Sequence, residues 1–258
     1  LFRNSFTLSP QNSFKLIKNT LASKNQEIPI TNVSLAPFLS YDISNSITRE
    51  ECIDFLKLPR IKTFLNSNLL SLVHNSSTNV ALFVSAKDQR KIWGFHNWSL
   101  VLSGLVSRNI NANFFLIGGN QDISYNLEFI KYCSKFNIKL HNFAGQLSPR
   151  ETLSFLKFCS LYLGHDAAPM HMAALQGCHC ISTFCNWEKY GLWEPLIAKS
   201  SVSHRPSLSY KKNENDYCIN KLNYIHILDD AYAFFSSNYM TNTHIIKEHY
   251  GDNNYKVL

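Results

Sequence analysis

The chain has 258 residues, 45% of them hydrophobic and 17% charged, which is enough to bury one large or two modest cores and excludes a disordered or fibrous protein. A net charge of +7 favours anionic partners. The basic residues are nevertheless scattered rather than gathered into the face of a dedicated nucleic-acid binder, so nucleic acid is not an expected partner. No run approaches the ~18 to 20 apolar residues of a membrane span, and the seven cysteines form an odd set without framework spacing, which argues against a disulfide-stapled secreted domain and for a reducing compartment.

The opening LFRNSFTLSP lacks the apolar core of a signal peptide, and a chain that starts at Leu1 rather than methionine is expected to be a processed or truncated piece. Up to residue 77 the pattern predicts a single helix, after Ser9-Pro10, with Phe14, Ile17 and Leu21 on one face. At Thr78 the text changes. TNVALFVSA reads as a buried strand, Trp98 to Val106 as a helix, and ANFFLIGG as a second strand ending in two glycines. Asp122 to Phe136 is helical, with Leu127, Ile130 and Cys133 three apart, and Ile138 to Phe143 can be a third strand. SPRE at 148–151 is a capping box with proline at the first helical position, so Leu153 to Cys159 is helix. A fourth strand at Leu161 to Gly164, a helix at Met170 to Leu175 and a fifth strand at Cys180 to Phe184 complete the alternation. Residues 186–221 read as loop, with Trp187, Trp193, Pro195, Pro206 and KKNEND, and Tyr224 to Phe235 as a late helix.

Strand and helix alternating over 78–184 predict an α/β fold: a parallel sheet with helices on both faces, and ligands beyond the carboxyl ends of its strands. Gly118-Gly119 and Gly164-His165-Asp166 sit at such ends. The second is the richer. In LYLGHDAAPMHMAAL a strand gives way to a carboxylate, two side chains of almost no bulk, a proline and His171, at the mouth of a helix. A helix start offers unpaired N–H groups and partial positive charge, a cradle for phosphate, and Ala167 and Ala168 let a diphosphate approach the main chain. Asp166 could accept from ligand hydroxyls and His171 donate to a phosphate oxygen. Equally, Asp166 could be a simple N-cap and His171 a satisfied local residue.

GHDAAPMHMAALQG resembles the donor-half motif of family 9 glycosyltransferases, the lipopolysaccharide heptosyltransferase group, whose usual form is G-x-D-S-G-P-M-H-L-A-A-A-x-G. KDQRKIWGFHNWSLVLSGL is similar to that family's lysine-tryptophan stretch, FFLIGGNQD to its second strand and loop, and FAGQLSPRETLSFLKFCSLYLGHD to its approach to the motif. FCNWEKYGLWEP with the later HRP resembles the tryptophan-proline loop of one branch. The resemblance spans about 78–206, with the family's Ser/Thr-Gly pair replaced by Ala167-Ala168.

The resemblance implies a Rossmann-like donor half of a GT-B type two-domain glycosyltransferase. Residues 1–77 would be a remnant of the acceptor-side domain and linker, 78–240 the donor-binding domain and 241–258 a C-terminal tail. It implies inverting transfer of a sugar from a nucleotide-diphosphate donor to a cell-envelope glycan such as lipopolysaccharide core. The donor and phosphate set would be Lys91, Trp93, Asp166, Ala167, Ala168, Met170 and His171, with Gly119 and Asp122 toward the ribose. The nucleotide sugar would be a co-substrate and no cofactor is expected. The partners would be that sugar and an anionic saccharide acceptor, in the cytoplasm with peripheral contact to the inner membrane. No catalytic base is assignable.

No metal is expected: there is no D-x-D pair, and CHC at 178–180 with Cys185 and His171 matches no standard zinc spacing. Among other activities, a nicotinamide dehydrogenase lacks its G-x-G-x-x-G and a serine or cysteine hydrolase its G-x-S-x-G. The alternative that stands is an inactive donor-half fragment serving as a nucleotide-sugar-binding or interaction module, for which the two alanines argue.

Overall fold

The computed structural model describes residues 67–73, 78–185, 193–195, 198–207, 218–236, 243–250 and 254–257. The helix expected after Ser9-Pro10, Trp187 and the KKNEND stretch lie outside them. After a short helix α1 (Ser67–Val73) the chain alternates as β1 (Thr78–Phe83), α2 (Phe95–Ser107), β2 (Ala112–Leu116), α3 (Ile123–Cys133) and β3 (Leu140–Asn142). Then follow α4 (Pro149–Leu156), β4 (Leu161–His165), α5 (Ala168–Leu175), β5 (His179–Thr183), β6 (Ser200–Pro206), α6 (Tyr224–Phe235), β7 (His244–Tyr250) and β8 (Asn254–Val257). The eight strands form one sheet in the order β3-β2-β1-β4-β5-β6-β7-β8, parallel except for the β7–β8 pair.

Successive side chains of a strand point to opposite faces, and here both faces are covered. Val80 and Leu82 of β1 pack with Trp98, Leu102, Phe129 and Ile227 from α2, α3 and α6. Ala81 and Phe83, one residue out of step, pack with Phe155, Met170, Ala173 and Ala174 from α4 and α5. That division makes the β1/β4 seam a switch point. The chain leaving β1 turns to one face and the chain leaving neighbouring β4 to the other, opening a crevice at the carboxyl ends of the strands.

Local chemistry fixes the details. Ser148 Oγ accepts the Glu151 N–H at 3.3 Å while Glu151 Oε2 accepts the Ser148 N–H at 2.8 Å, with Pro149 opening α4, the capping box expected from SPRE. Helix α5 ends at Gly177, whose φ of 80° lets Cys178 N–H reach Ala173 C=O and its own N–H reach Ala174 C=O, both at 3.0 Å. Gly164 has no room for a side chain: a Cβ there would lie 2.5 Å from the Phe83 carbonyl oxygen and 2.8 Å from the Tyr162 hydroxyl.

Two stretches differ from the sequence reading. Within 186–221, read as loop, lies β6, whose seven residues are all buried. Within 241–258, set apart as a tail, β7 and β8 continue the same sheet. SSVSHRP and HIIKEHY carry too few apolar residues to show an apolar run. Their polar groups are buried against one another instead.

Candidate functional site

Four loops converge above the switch point around a cleft of about 1150 Å³. The segment after β1 contributes Ser85 to Gln89 with Lys91 and Ile92, the segment after β2 contributes Gly118, Gly119, Gln121 and Asp122 with Ser124 and Tyr125, the start of α4 contributes Leu147 and Pro149, and the start of α5 contributes Asp166 to Pro169. Of the residues singled out in the sequence, Lys91, Gly119, Asp122, Asp166, Ala167 and Ala168 all line this space.

Lys91 Nζ donates to Asp166 Oδ2 at 2.7 Å across the seam, from a 3₁₀ turn whose start is capped by Asp88. The lysine side chain remains 23% exposed and the aspartate 8%, so the ammonium keeps a path to the cleft while its counter-ion is held in the wall. Beside them α5 begins. Ala167 occupies the N-cap position in extended geometry (φ −164°, ψ 172°) and provides no side-chain cap. Pro169 has no N–H and the Met170 N–H already reaches Ala167 C=O at 3.0 Å, so this start offers the cleft the Ala168 N–H and the positive end of the helix. The site offers an ammonium, a helix terminus and two methyl groups in front of them, which suits a diphosphate.

Asp122 is built into the frame. Its Oδ1 accepts from Ser85 Oγ at 2.7 Å, and its Oδ2 accepts from Gly119 N–H at 2.8 Å and Gln121 Nε2 at 3.1 Å. The carboxylate therefore ties the loop after β1 to the loop after β2. Gly118, with φ of 153°, leaves no room for a side chain here, since a Cβ would meet Asp122 Oδ2 at 2.7 Å and Cβ at 2.8 Å. Tyr125, one helical turn on, sits against Phe95 with ring centroids 4.6 Å apart, and burial pushes its phenol up to about 12, so it stays protonated.

Three sequence candidates stand elsewhere. Trp93 is buried in the core, edge-on to Trp98 at 4.9 Å, and Met170 is buried under α5; neither lines the cleft. Trp93, between a 3₁₀ turn and α2, and Met170, in the first turn of a helix that is apolar nearly all round, are drawn inward by their apolar area. His171 also lies off the cleft. Burial first, and the nearby Lys91 charge second, hold its pKa below the ordinary imidazole value, so it is neutral at pH 7.

The sequence reading gave His165 no role, although it stood in the motif. Its ring is fully buried, with Nδ1 3.2 Å from Ser85 C=O and Nε2 3.1 Å from both Trp93 N–H and Trp98 Nε1–H. The tryptophan-proline segment also gains a partner. Glu194 lies 2.9 Å from Arg205 of HRP, both buried, and the guanidinium sits 4.9 Å over the Phe184 ring. Burial pushes the Glu194 carboxyl up against the pull of Arg205. Among the described residues no group of three or more His, Cys, Asp or Glu side chains could hold a metal ion, and no helix is long and apolar enough to cross a membrane. Cys178 donates instead to the carbonyls of Leu156 and Cys159, at 3.4 and 3.2 Å.

Comparison with known proteins accords with this architecture. The fold is similar to that of ADP-heptose lps heptosyltransferase II of E. coli, with 12% identity and a TM-score of 0.53 over 66% of this chain and 52% of that one. The E. coli heptosyltransferase WaaC solved with ADP gives 12% identity and 0.53 over 77% and 53%. A glycosyl transferase family 9 structure from Veillonella parvula DSM 2008 gives 12% and 0.54 over 87% and 79%. The chain thus spans about half the length of the two E. coli proteins. No curated protein sequence matches it. The model for glycosyltransferase family 9 (heptosyltransferase) matches residues 59–221. With more than half of its residues inside that match, on a sheet shared with solved heptosyltransferases, the chain belongs to glycosyltransferase family 9.

Proposed function

We propose that this chain binds the nucleotide-diphosphate sugar of an inverting, heptosyltransferase-like glycosyltransferase that acts on a cell-envelope glycan such as lipopolysaccharide core. The observation that carries the reading is the 2.7 Å pair of Lys91 and Asp166 beside the start of α5, in a cleft that Ala167 and Ala168 also line. In the transfer an acceptor hydroxyl attacks the anomeric carbon, the bond from that carbon to the diphosphate oxygen breaks, and the electron pair leaves with the diphosphate. Lys91 and the helix terminus stabilise that developing charge, and Asp166 aims the lysine while keeping lone pairs for donor hydroxyls. Ala167 and Ala168 keep the approach open. These groups supply the electrostatic work without a metal. The hydroxyl proton goes to a general base.

A basic chain suits a phosphorylated saccharide acceptor at the inner surface of a membrane, reached by peripheral contact from the cytoplasm. The Ala167-Ala168 pair favours a second reading, a binding module without transfer activity. Calorimetry with ADP and UDP tests the first step: binding by the wild-type chain, lost in Lys91→Ala and weakened in Asp166→Ala, is expected. Tight binding unchanged in both variants would remove the site. Sugar transfer assayed with an acceptor-side partner separates enzyme from module.

A further inference from the structure

We infer that His165 is a positioning residue of the diphosphate site, a neutral imidazole that locks the lysine-bearing loop to the strand end carrying Asp166. The inference rests on the donor-site reading above and concerns a residue that does not itself line the cleft.

The hydrogen bonds leave the ring one arrangement. Ser85 C=O can only accept, so Nδ1 carries the proton; Trp93 N–H and Trp98 Nε1–H can only donate, so Nε2 presents its lone pair to both. A second ring proton would point at two donors. The surroundings agree, since burial first and the Lys91 charge after it hold the imidazole down at about 4, leaving it uncharged at neutral pH. Tyr162 Oη fixes the backbone at this point by donating to His165 C=O at 2.7 Å.

The three partners come from three places. Ser85 begins the loop after β1 and passes the contact on to Asp122 through its hydroxyl; Trp93 stands two residues beyond Lys91; Trp98 lies in the first turn of α2. His165 itself is adjacent to Asp166. One ring therefore sets the separation of Lys91 and Asp166, which form their ion pair across a seam that no backbone ladder closes above Gly164. An apolar residue could fill the same volume. It would leave the Trp93 and Trp98 donors unpaired in a dry interior and release the loop.

The experiment compares the wild-type 258-residue chain with His165→Met, which fills similar volume without an acceptor, and His165→Gln, whose Oε1 can accept both N–H groups. ADP and pyrophosphate binding are measured by calorimetry, well below the melting temperature of each variant. His165→Met is expected to weaken both ligands by about tenfold, and by the same factor, with at least half of that loss (on a logarithmic scale) recovered in His165→Gln. Ring ¹⁵N shifts of the wild type should show the Nδ1–H tautomer at pH 7. Wild-type affinity in His165→Met, or an equal loss in both variants, overturns the inference while leaving the donor site standing. If His165→Met does not fold, Trp98→Phe takes over: a loss of about threefold supports the role and unchanged affinity overturns it. A wild-type chain that binds neither ADP nor pyrophosphate overturns the donor-site reading and this role with it.

Discussion

Beneath α2, strands β1 and β4 present Val80, Leu82, Leu161 and Leu163 to Trp98, Val101 and Leu102, all of them buried and apolar. Beneath α6, strands β6 and β7 present His204 and His249 to Asp230 and His226. Lys247 Nζ donates to both Asp230 oxygens at 2.8 and 2.7 Å, Asp230 faces His204 Nε2 at 3.0 Å, and His204 Nδ1 lies 3.0 Å from His249 Nε2. The same sheet thus has an apolar half that carries the cleft and a half held by a chain of polar groups. Apolar packing is indifferent to pH and tolerant of neighbours, whereas a buried polar chain is strong only when every member is present and in one protonation state. The cleft stands on the half whose packing is apolar, and the titratable groups built into its rim and wall include Lys91, Asp122, Asp166 and His165.

The largest effect expected is from breaking the polar chain. Asp230→Ala leaves Lys247, nearly buried, without its carboxylate partner, and should cost about 3 kcal/mol or more at pH 7 in urea unfolding, as much as Leu163→Ala in the apolar half. The contrast lies in the repair. Replacing Asp230, Lys247 and His204 together by Leu, Met and Phe should recover most of that loss, because an apolar substitute of similar volume avoids the desolvation of the charges, while His249 Nε2, left without its partner, keeps the variant short of wild type. A triple variant less stable than Asp230→Ala would show that the two halves do not differ in this way.

Acid should separate the halves next. His249 is pushed down to about 2, by burial first and then by His204, His226 and Lys247, and burial also lowers His204. The folded values lie below those of the unfolded chain, so between them the unfolded state binds more protons and stability falls as pH falls. The window opens near pH 6.5 and runs down toward 2 for His249 and toward about 4 for His165. Between pH 7 and pH 4 the loss from His249 alone is on the order of 3 kcal/mol. In His249→Phe the slope of unfolding free energy against pH should be visibly shallower; identical slopes would exclude the histidine as its source.

A smaller cost is expected at the seam itself. Gly164→Ala puts a methyl group against the Phe83 backbone, which cannot swing aside, so β1 and β4 must part slightly, at about 1–3 kcal/mol. Because the Lys91–Asp166 pair crosses this seam, ADP affinity should fall with the melting temperature. A stable variant with full affinity would show that the pair does not depend on strand spacing.

The same division governs what the sequence disclosed. VALF, FFL and LYL announce themselves as strands because buried parallel strands read as apolar runs, and SPRE announces a helix because its cap is local. The cleft followed from them, with Lys91, Gly119, Asp122, Asp166, Ala167 and Ala168 at the strand ends. SSVSHRP could not be read this way, since its serines, His204 and Arg205 are buried against partners as distant in sequence as Asp230 and His249. Trp93 and Met170 were placed near ligand because they flank it in the chain; their burial depends on packing that no motif records. The role of His165 was hidden likewise, for its partners Ser85, Trp93 and Trp98 lie 67 to 80 residues away.

The start of α5, in the apolar half, carries no side-chain cap, and repairing it gives the smallest expected effect. Ala167 already has the extended backbone of an N-cap, so Ala167→Ser needs no rearrangement to offer its hydroxyl to the helix. The gain is limited by what the hydroxyl can reach. Pro169 has no N–H, and the Met170 N–H already lies 3.0 Å from Ala167 C=O, so about 0.5 kcal/mol is expected, the low end for a cap. A hydroxyl does not titrate in this range, so the gain should be the same at pH 4 and pH 8, in contrast to every change made around His249. A gain that varied with pH would mean that α5 is coupled to the histidine chain, and that the platform under the cleft is less independent of the polar half than its packing indicates.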